Sequence, residues 1–325
     1  MSKSSVLFEN LEKSGRLKKD VPLSLHTTFK VGGNAQYFYE ALTREDLAYV
    51  INIAQELSLK FFVLGGGSNV LFSDKGFDGI VIKNKTDKIK IVGFKGNISH
   101  LQKNVTTVFV ESDSGVYLNR LVRFCLDEGL GGLENFLGQP GSIGGAVYMN
   151  SHNMNKKDFF GDHVYQAEIT DSHGQRLIKD NIYFKFGYDN SKIQKTHDVV
   201  LAVTLKLKKG DKNILWQRAN EALYHRQKSQ PSGAHSAGCI FRNITESEAR
   251  RISTPQFTKS AGFLLERAGL KGKSVGGAQI SQVHANFIIN TGGATASDVL
   301  ELIALAKNKV YERFKVALIE EIVYG

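Results

Sequence analysis

Two glycine-rich segments constrain the fold of this chain more than any other feature. The first is LGGGSN at 64–69, and the second is GQPGSIGGA at 138–146. Each adjoins apolar sequence, which indicates that each lies beside buried structure. Glycines in two such loops allow the backbone to approach a bulky anion at distances that side chains would block. The pair therefore predicts a wrapped cofactor that carries phosphate.

Neither loop matches the common nucleotide-binding motifs. The triplet Gly65–Gly67 is not followed by the long helical pattern of a dinucleotide-binding fingerprint, and the chain contains no GxxxxGK[ST] segment. An isolated glycine usually indicates only a turn. The cofactor prediction therefore depends on the two loops being taken together.

Composition bounds the class of protein. A chain of 325 residues with 42% hydrophobic content can bury a substantial core and is expected to form two or three domains. No apolar run approaches the roughly 18 residues that span a bilayer, and the N-terminus lacks a signal-like apolar region. We therefore expect a cytoplasmic protein without membrane insertion. Cys125 and Cys239 form no CxxC pair, so neither a disulfide framework nor a metal site is predicted.

The net charge of +10 predicts anionic partners. Lys and Arg are spread thinly along the chain, and no helix-turn-helix, zinc-finger or RNP-like segment is present. A basic nucleic-acid-binding module is the alternative that this charge leaves open. The charge distribution favours small anionic ligands over nucleic acid.

Periodicity predicts alternating short strands and helices. Thr43 is expected to cap a helix that carries Leu47 and Ile51 on its apolar face, followed by a strand at 60–64. A lysine-rich connector near Lys83 is a plausible domain boundary. The last residues alternate between two faces, which predicts a terminal strand with a carboxylate on its apolar face. Further strands are predicted at 77–82, 105–111, 163–170 and 199–207, and helices at 118–126, 261–268 and 297–314.

Five segments carry a family resemblance. In order they are HTTFKVGG at 26–33, LGGGSNVL at 64–71, the stretch 129–150, SAGCIFRN at 236–243 and the stretch 261–290. In these segments the chain resembles the UDP-N-acetylenolpyruvoylglucosamine reductases, flavoenzymes of bacterial peptidoglycan precursor synthesis. The resemblance runs from about residue 26 to residue 325. The short spacing from 243 to 261 resembles the subtype that lacks an inserted tyrosine loop.

The resemblance implies a fold, an activity and two cofactors. The fold is α+β, with a two-domain FAD-binding scaffold of the p-cresol methylhydroxylase/vanillyl-alcohol oxidase type and a smaller α+β substrate domain. The expected parts are 1–83 and 84–212 for FAD, 213–316 for substrate, and 317–325 as a strand that returns to the active site. The activity is reduction of UDP-N-acetylglucosamine enolpyruvate to UDP-N-acetylmuramate, with noncovalent FAD and with NADPH as the electron source. Oligomeric state is not predicted.

The resemblance also implies binding residues. The FAD set consists of loop residues: Gly65, Gly66, Gly67, Ser68, Asn69, Gly138, Pro140, Gly141, Ser142, Ile143, Gly144, Gly145 and Ala146. The substrate set consists of polar residues in later segments: Tyr188, Arg226, Lys228, Asn243 and Lys271. In the family a lysine follows an arginine by three residues. Here Lys228 stands one position early.

Reduction of an enol ether needs a hydride at the terminal methylene, stabilisation of the intermediate, and a proton at the adjacent carbon. Cys239 occupies the position of the family's proton-donating serine or cysteine, and the alternative is a small buried residue. Glu320 matches the family's C-terminal glutamate. A carboxylate paired with lysine is the structural alternative for Glu320, and Glu321 is the rival if the register shifts by one residue.

One position departs from the family pattern. The family carries arginine after tyrosine, whereas FGYDNS at 186–191 places Asp189 there. A carboxylate cannot stabilise negative charge, so Lys185, Lys192 or Arg242 would have to supply a cation. The polar segment 151–157 also replaces residues that are usually small. These departures support an alternative, a divergent FAD-binding paralogue with another substrate or reduced activity.

Overall fold

The computed structural model describes residues 3–13, 15–98 and 103–325. The helices are α1 (Lys3–Lys13), α2 (Arg44–Glu56), α3 (Leu118–Asp127), α4 (Ile143–Met149), α5 (Ile193–Thr196), α6 (Lys212–Ser229), α7 (Glu246–Arg251), α8 (Ala261–Arg267) and α9 (Ala296–Phe314). Within the described ranges, none of these helices combines the length and apolar character needed to cross a membrane.

The strands divide among several sheets. They are β1 (Leu17–Pro22), β2 (Asn34–Ala41), β3 (Phe61–Leu64), β4 (Val70–Leu71), β5 (Phe77–Asn84), β6 (Ile89–Ile98), β7 (Lys103–Asp113), β8 (Leu130–Gly131), β9 (His152–Asn153), β10 (Asp158–Phe159), β11 (Val164–Thr170), β12 (Arg176–Asp180), β13 (Val199–Lys209), β14 (His235–Cys239), β15 (Ser274–Val275), β16 (Ala278–Ile280), β17 (Phe287–Asn290) and β18 (Val323–Tyr324).

The chain divides into two compact units. The first comprises residues 1–19, 37–66 and 78–226, and the second comprises 20–36, 67–77 and 227–325. The division into 1–83, 84–212, 213–316 and 317–325 stays a prediction.

A four-stranded sheet with the order β1-β2-β5-β3 belongs largely to the first unit. Strands β3 and β5 are parallel. Thr43 is the N-cap of helix α2, and its side chain accepts from the Asp46 amide. Leu47 and Ile51 of this helix are fully buried in a core that also contains residues of β2 and β5. The predicted cap, helix and following strand are confirmed.

A second, antiparallel sheet in the first unit has the order β12-β11-β13-β7-β6, and β8 also pairs with β13. Helices α3 and α4 contribute to the core that covers it, through residues such as Leu121 and Val147. The predicted strands at 105–111, 163–170 and 199–207 fall on β7, β11 and β13. Cys125 is fully buried in this core, where burial raises the pKa of its thiol to about 12. Helix α3, which carries Cys125, confirms the helix predicted at 118–126.

The second unit contains an antiparallel sheet with the order β14-β17-β16-β15, and β4 pairs in parallel with β18. Helices α8 and α9, both predicted, contribute to its core. In the terminal segment Val316, Leu318 and Ile322 are buried, as the alternating pattern predicts. A strand ladder forms only at 323–324, and Glu320 makes an isolated bridge to Phe241.

Candidate functional site

The two glycine loops meet inside the first unit. Gly65 and Gly66 follow β3, and Gly141 and Ser142 lead into α4. A Cβ on Gly66 would lie 2.8 Å from the Gly141 Cα, and a Cβ on Gly65 would overlap the Ser142 hydroxyl. Glycine is required here because the two backbones approach each other directly.

The second loop turns into helix α4 through Ser142. Its hydroxyl accepts from the Gly145 amide at 3.4 Å, which begins the helix. The Gly144 amide donates to the Ser114 carbonyl at 2.8 Å, and a Cβ on Gly144 would lie 3.2 Å from the Ser114 Cβ. The loop is therefore held against the end of β7 by its main chain.

A cavity of about 300 Å³ lies beside the first loop. It is lined by Gly65, by the cations Lys83, Lys85 and Arg120, by the carboxylate of Asp87, which pairs with Arg120, and by the polar side chains of Asn84 and Thr86, among others. Lys83 is 7% exposed, and its ammonium donates to the Gly65 carbonyl at 2.5 Å. Polar, cationic walls beside loops without side chains suit a ligand that carries phosphate, such as FAD.

A tight hairpin presents two of the predicted substrate-site residues. Mutual main-chain bonds between Gly187 and Asn190, of 2.9 and 3.3 Å, place Tyr188 and Asp189 at its tip. Asn150, in the left-handed conformation at the end of α4, donates to the Gly187 carbonyl at 2.8 Å. The glycine loop, its helix and this hairpin thus form one connected structure.

Further bonds fix the hairpin against α4. The Ser191 hydroxyl and the Gln194 amide donate to the Tyr148 carbonyl at 2.6 and 2.8 Å. The same Gln194 amide donates to the Asp189 carbonyl at 3.1 Å. Asp189 has a φ of 49° and is 1% exposed, so its carboxylate is held inside the protein at some cost in backbone strain.

His152, which was not predicted as a site residue from the sequence, lies next to Asp189. Its Nδ1 is 3.3 Å from the Asp189 Oδ1, and its ring centroid is 5.0 Å from that of Tyr188. Burial lowers the pKa of His152 to about 4, against the opposing effect of a hydrogen bond to the Asn150 main chain, and the Arg226 charge adds a smaller lowering. Arg226 itself passes the second loop, since a Cβ on Gly138 would lie 3.4 Å from its Cδ. The only sequence signal for His152 was the unusual polar segment at 151–157.

The three cations suggested as substitutes for the family arginine have different local surroundings. The Lys192 ammonium lies 3.8 Å from the centre of the Tyr183 ring. Lys185 is exposed at the end of a short turn, and Arg242 belongs to the second unit. In the first unit, the charge of Arg226 acts on His152, whose pKa it helps to lower.

Cys239 ends strand β14 in the second unit, opposite Phe287. The register shifts between Ser236 and Cys239, Gly238 has a φ of 79°, and Cys239 is half-buried. The Thr28 hydroxyl donates to the Ser236 carbonyl at 2.7 Å. The same residue's amide donates to the Gly67 carbonyl, which ties the end of the first glycine loop to this strand.

The two terminal glutamates have different surroundings. The Glu320 carboxylate lies 2.8 Å from the Lys307 ammonium and accepts from the Tyr324 hydroxyl at 3.0 Å. The Glu321 amide donates to the Ile240 carbonyl at 2.8 Å. The Glu321 carbonyl accepts from the Asn69 amide at 3.2 Å. Position 321 is thus bonded both to the residue after Cys239 and to the first glycine loop.

The remaining predicted substrate residues lie in the second unit. The Asn243 Oδ1 accepts from the Ala261 amide at 3.1 Å, and the Lys271 ammonium lies 3.0 Å from Glu266. Lys228 lies in the last turn of α6. In the described part of the chain, no cluster of three His, Cys, Asp or Glu side chains has the arrangement of a metal site.

Comparison with known proteins identifies the family. Residues 35–178 match the FAD binding domain family, and residues 230–324 match the family described as UDP-N-acetylenolpyruvoylglucosamine reductase, C-terminal domain. A UDP-N-acetylenolpyruvoylglucosamine reductase from Caldicellulosiruptor bescii is 36% identical over 319 residues, covering 96% of this chain and 92% of that relative. This chain belongs to the UDP-N-acetylenolpyruvoylglucosamine reductase family. The predicted family and the predicted FAD cofactor are confirmed.

Solved structures agree with the reductase family and with the fold. UDP-N-acetylenolpyruvylglucosamine reductase from Thermus caldophilus is 32% identical, with a TM-score of 0.74 over 95% of this chain and 98% of that one. A VAO-type flavoprotein from Myceliophthora thermophila is 12% identical, with a TM-score of 0.51 over 94% of this chain and 78% of that one. The second likeness concerns the fold alone. The predicted α+β flavoprotein scaffold is confirmed, and these relatives do not favour the divergent alternative.

Proposed function

We propose that the protein catalyses the NADPH-dependent reduction of UDP-N-acetylglucosamine enolpyruvate to UDP-N-acetylmuramate, with FAD as cofactor. The observation that carries the proposal is the direct meeting of the two glycine loops, in a chain that belongs to the reductase family over nearly its whole length. The reaction belongs to peptidoglycan precursor synthesis, and we propose a cytoplasmic location for the protein. Bound FAD supplies the two-electron chemistry.

In this proposal the glycine loops hold FAD without a covalent bond. Gly65 to Asn69 and Gly138 to Ala146 offer main-chain groups, and the buried Lys83 beside Gly65 supplies positive charge. Positive charge and main-chain amides together favour a diphosphate. Acid precipitation is expected to release the flavin.

Cys239 is assigned as the proton donor to the carbon adjacent to the reduced methylene. Its half-buried thiol at a register shift differs from the fully buried thiol of Cys125. A thiol is more acidic than a hydroxyl, so it can donate a proton to a developing carbanion.

We assign the stabilising carboxylate to Glu321 in preference to Glu320. The Glu320 carboxylate accepts from Lys307 and Tyr324. This matches the structural alternative, in which the carboxylate is paired with a lysine. Glu321 follows Glu320 on an extended segment, so its side chain points the other way. Its main chain is bonded beside Cys239 and to Asn69. Tyr188, Arg226, Lys228, Asn243 and Lys271 are assigned to the sugar nucleotide.

Product analysis in D₂O, combined with kinetics of paired variants, tests this assignment. The wild-type product should be two hydrogens heavier than the substrate in H₂O, and in D₂O it should carry one deuterium at the carbon that Cys239 protonates. Cys239→Ala should lower kcat by about 10²- to 10⁴-fold, and Cys239→Ser should restore part of the loss. Glu321→Gln should lower kcat by about 10²-fold or more, and Glu320→Gln only a few-fold.

Two results would count against the proposal. Absence of a reduced product from FAD-loaded protein would contradict the reductase function. A larger loss for Glu320→Gln than for Glu321→Gln would return the stabilising role to Glu320.

A further inference from the structure

Asn286 lies directly before strand β17 in the second unit. Only 3% of the residue is exposed, so its side-chain amide is a buried polar group that needs hydrogen-bond partners. Its partners are the main-chain groups of Phe241, two residues after Cys239. The Asn286 Oδ1 accepts from the Phe241 amide at 3.0 Å, and the Asn286 Nδ2 donates to the Phe241 carbonyl at 2.7 Å.

The side chain of Asn286 takes the place of a strand neighbour for Phe241. A side-chain amide offers an acceptor and a donor side by side, so it can pair with both main-chain groups of one residue, as a residue of an antiparallel strand does. The main chain of Asn286 adds to this contact, because its carbonyl accepts from the Ile240 amide at 2.8 Å. Three hydrogen bonds therefore fix residues 240 and 241 to a single residue.

The terminal segment (316–325) holds the same stretch through other main-chain groups. The Ile240 carbonyl accepts from the Glu321 amide at 2.8 Å, and the Arg242 amide donates to the Ile319 carbonyl at 2.8 Å. The residues that follow Cys239 are thus bonded both to Asn286 and to the segment that carries Glu321.

The chain is irregular immediately before Cys239. The register of β14 against β17 shifts between Ser236 and Cys239, where β14 carries one residue more than β17. One of the residues in this bulge is Gly238, whose φ of 79° is a left-handed value. A bulge changes the direction of the side chain next to it, so the orientation of the Cys239 thiol depends on what fixes the chain after the bulge. The hydrogen bonds of Asn286 to the next two residues do this.

We propose that Asn286 is a positioning residue for the reduction, and that its side chain holds Cys239 and Glu321 at the spacing that the reaction requires. The inference rests on the proposed reductase function and on the roles assigned there to these two residues. Asn286 acts through the main chain and needs no contact with substrate or flavin. An error of about 1 Å in the position of reacting groups can lower a rate constant about 10²-fold, so these hydrogen bonds have a measurable effect on catalysis.

Asn286→Asp tests the inference, because the new carboxyl has the size of the amide but matches Phe241 only when it is protonated. The acid can donate to the Phe241 carbonyl and accept from the Phe241 amide, whereas the carboxylate repels that carbonyl. Burial and the carbonyl both favour the neutral acid, which raises the pKa of the new carboxyl above its ordinary value. The match is therefore restored as the pH falls through that raised pKa.

Anaerobic stopped-flow on the FAD-loaded variant separates the two half-reactions. Reduction of the flavin by NADPH should keep the wild-type rate, since neither Cys239 nor Glu321 is assigned to that step. Reoxidation by saturating UDP-N-acetylglucosamine enolpyruvate should be about 10- to 100-fold slower than in the wild type at about pH 8.5, with little change in the half-saturating substrate concentration. The ratio to the wild-type rate should rise towards one as the pH is lowered to about 6.

Two further variants control for folding and for general damage to the strand. Asn286→Ser, which is neutral at every pH, should also slow reoxidation, with a deficit that does not recover at low pH. Asn290→Asp is the matched control, because Asn290 pairs with His235 at the start of β14 and its amide donates to the Phe29 carbonyl at 3.2 Å. It loses the same kind of hydrogen bond on the same strand and should keep both half-reactions within about twofold of the wild type. Flavin content and thermal unfolding show that the variants compared are folded.

The outcomes separate the two proposals. Wild-type reoxidation rates in folded Asn286→Asp or Asn286→Ser at the higher pH would overturn the role of Asn286 and leave the reductase function standing. Equal slowing of flavin reduction, or an equal deficit in Asn290→Asp, would assign the effect to general damage and would likewise overturn the inference. Failure of the substrate to reoxidise the wild-type flavin would instead contradict the reductase function itself.

Discussion

Two parts of the first unit contribute to the site in opposite ways. At the glycine loops, main chain meets main chain, and the arrangement depends on the absence of side chains at Gly65 and Gly66. At the hairpin of Tyr188 and Asp189, the arrangement depends on which side chains are present and on how their charges balance. A backbone-made site tolerates almost no substitution at its glycines. A side-chain site can change its charges if a partner changes with it.

The largest expected effect is at the glycine loops. Gly66→Ala should reduce FAD affinity at least tenfold and yield nearly colourless protein, because the new Cβ would lie 2.8 Å from the Gly141 Cα, an atom that cannot move aside alone. The flavin-to-protein absorbance ratio measures this. Gly93→Ala is the matched control, since its Cβ would meet only the Phe109 side chain at 3.6 Å, and it should keep its flavin. Equal flavin content in both variants would contradict a cradle made by the backbone.

The smaller expected effect is at His152. The folded-state pKa of His152, about 4, lies below the ordinary histidine value of 6.5, so between these pH values the unfolded chain binds the extra proton. Stability should therefore fall as the pH decreases from 7 to 5, by about 1 to 2 kcal/mol more in the wild type than in His152→Gln. Chemical denaturation of the ligand-free holoenzyme at both pH values measures the difference. Parallel pH dependences would show that His152 is not held neutral by burial.

The sequence predicts those parts of the fold that local patterns encode. Thr43 and the apolar residues after it predict α2. The two glycine loops predict backbone that another group can approach closely, and in the structure the two loops also approach each other. Helix α6 was missed, because only Leu215, Ala219 and Ala222 are buried along its 18 residues and its apolar face is correspondingly weak. Strand β6 was not predicted, since its lysines obscure the alternation.

The site was predicted less completely than the fold. Each glycine cluster is a short contiguous motif, whereas His152 and Asp189 are 37 residues apart and no periodicity relates them. Asp189 alone suggested a missing positive charge. Its contact with a histidine in another unusual segment became evident only in three dimensions, through Asn150 and the hairpin that it holds. Similarly, alternation alone could not choose between Glu320 and Glu321, because that choice depends on the partners Lys307 and Tyr324.

Anaerobic stopped-flow spectroscopy tests the central claim most directly. The purified yellow protein is reduced with one equivalent of NADPH and then mixed with UDP-N-acetylglucosamine enolpyruvate, while flavin absorbance is followed. We expect rapid reoxidation that saturates with substrate, despite the carboxylate at position 189. Flavin that NADPH reduces but the substrate does not reoxidise would contradict the reductase function.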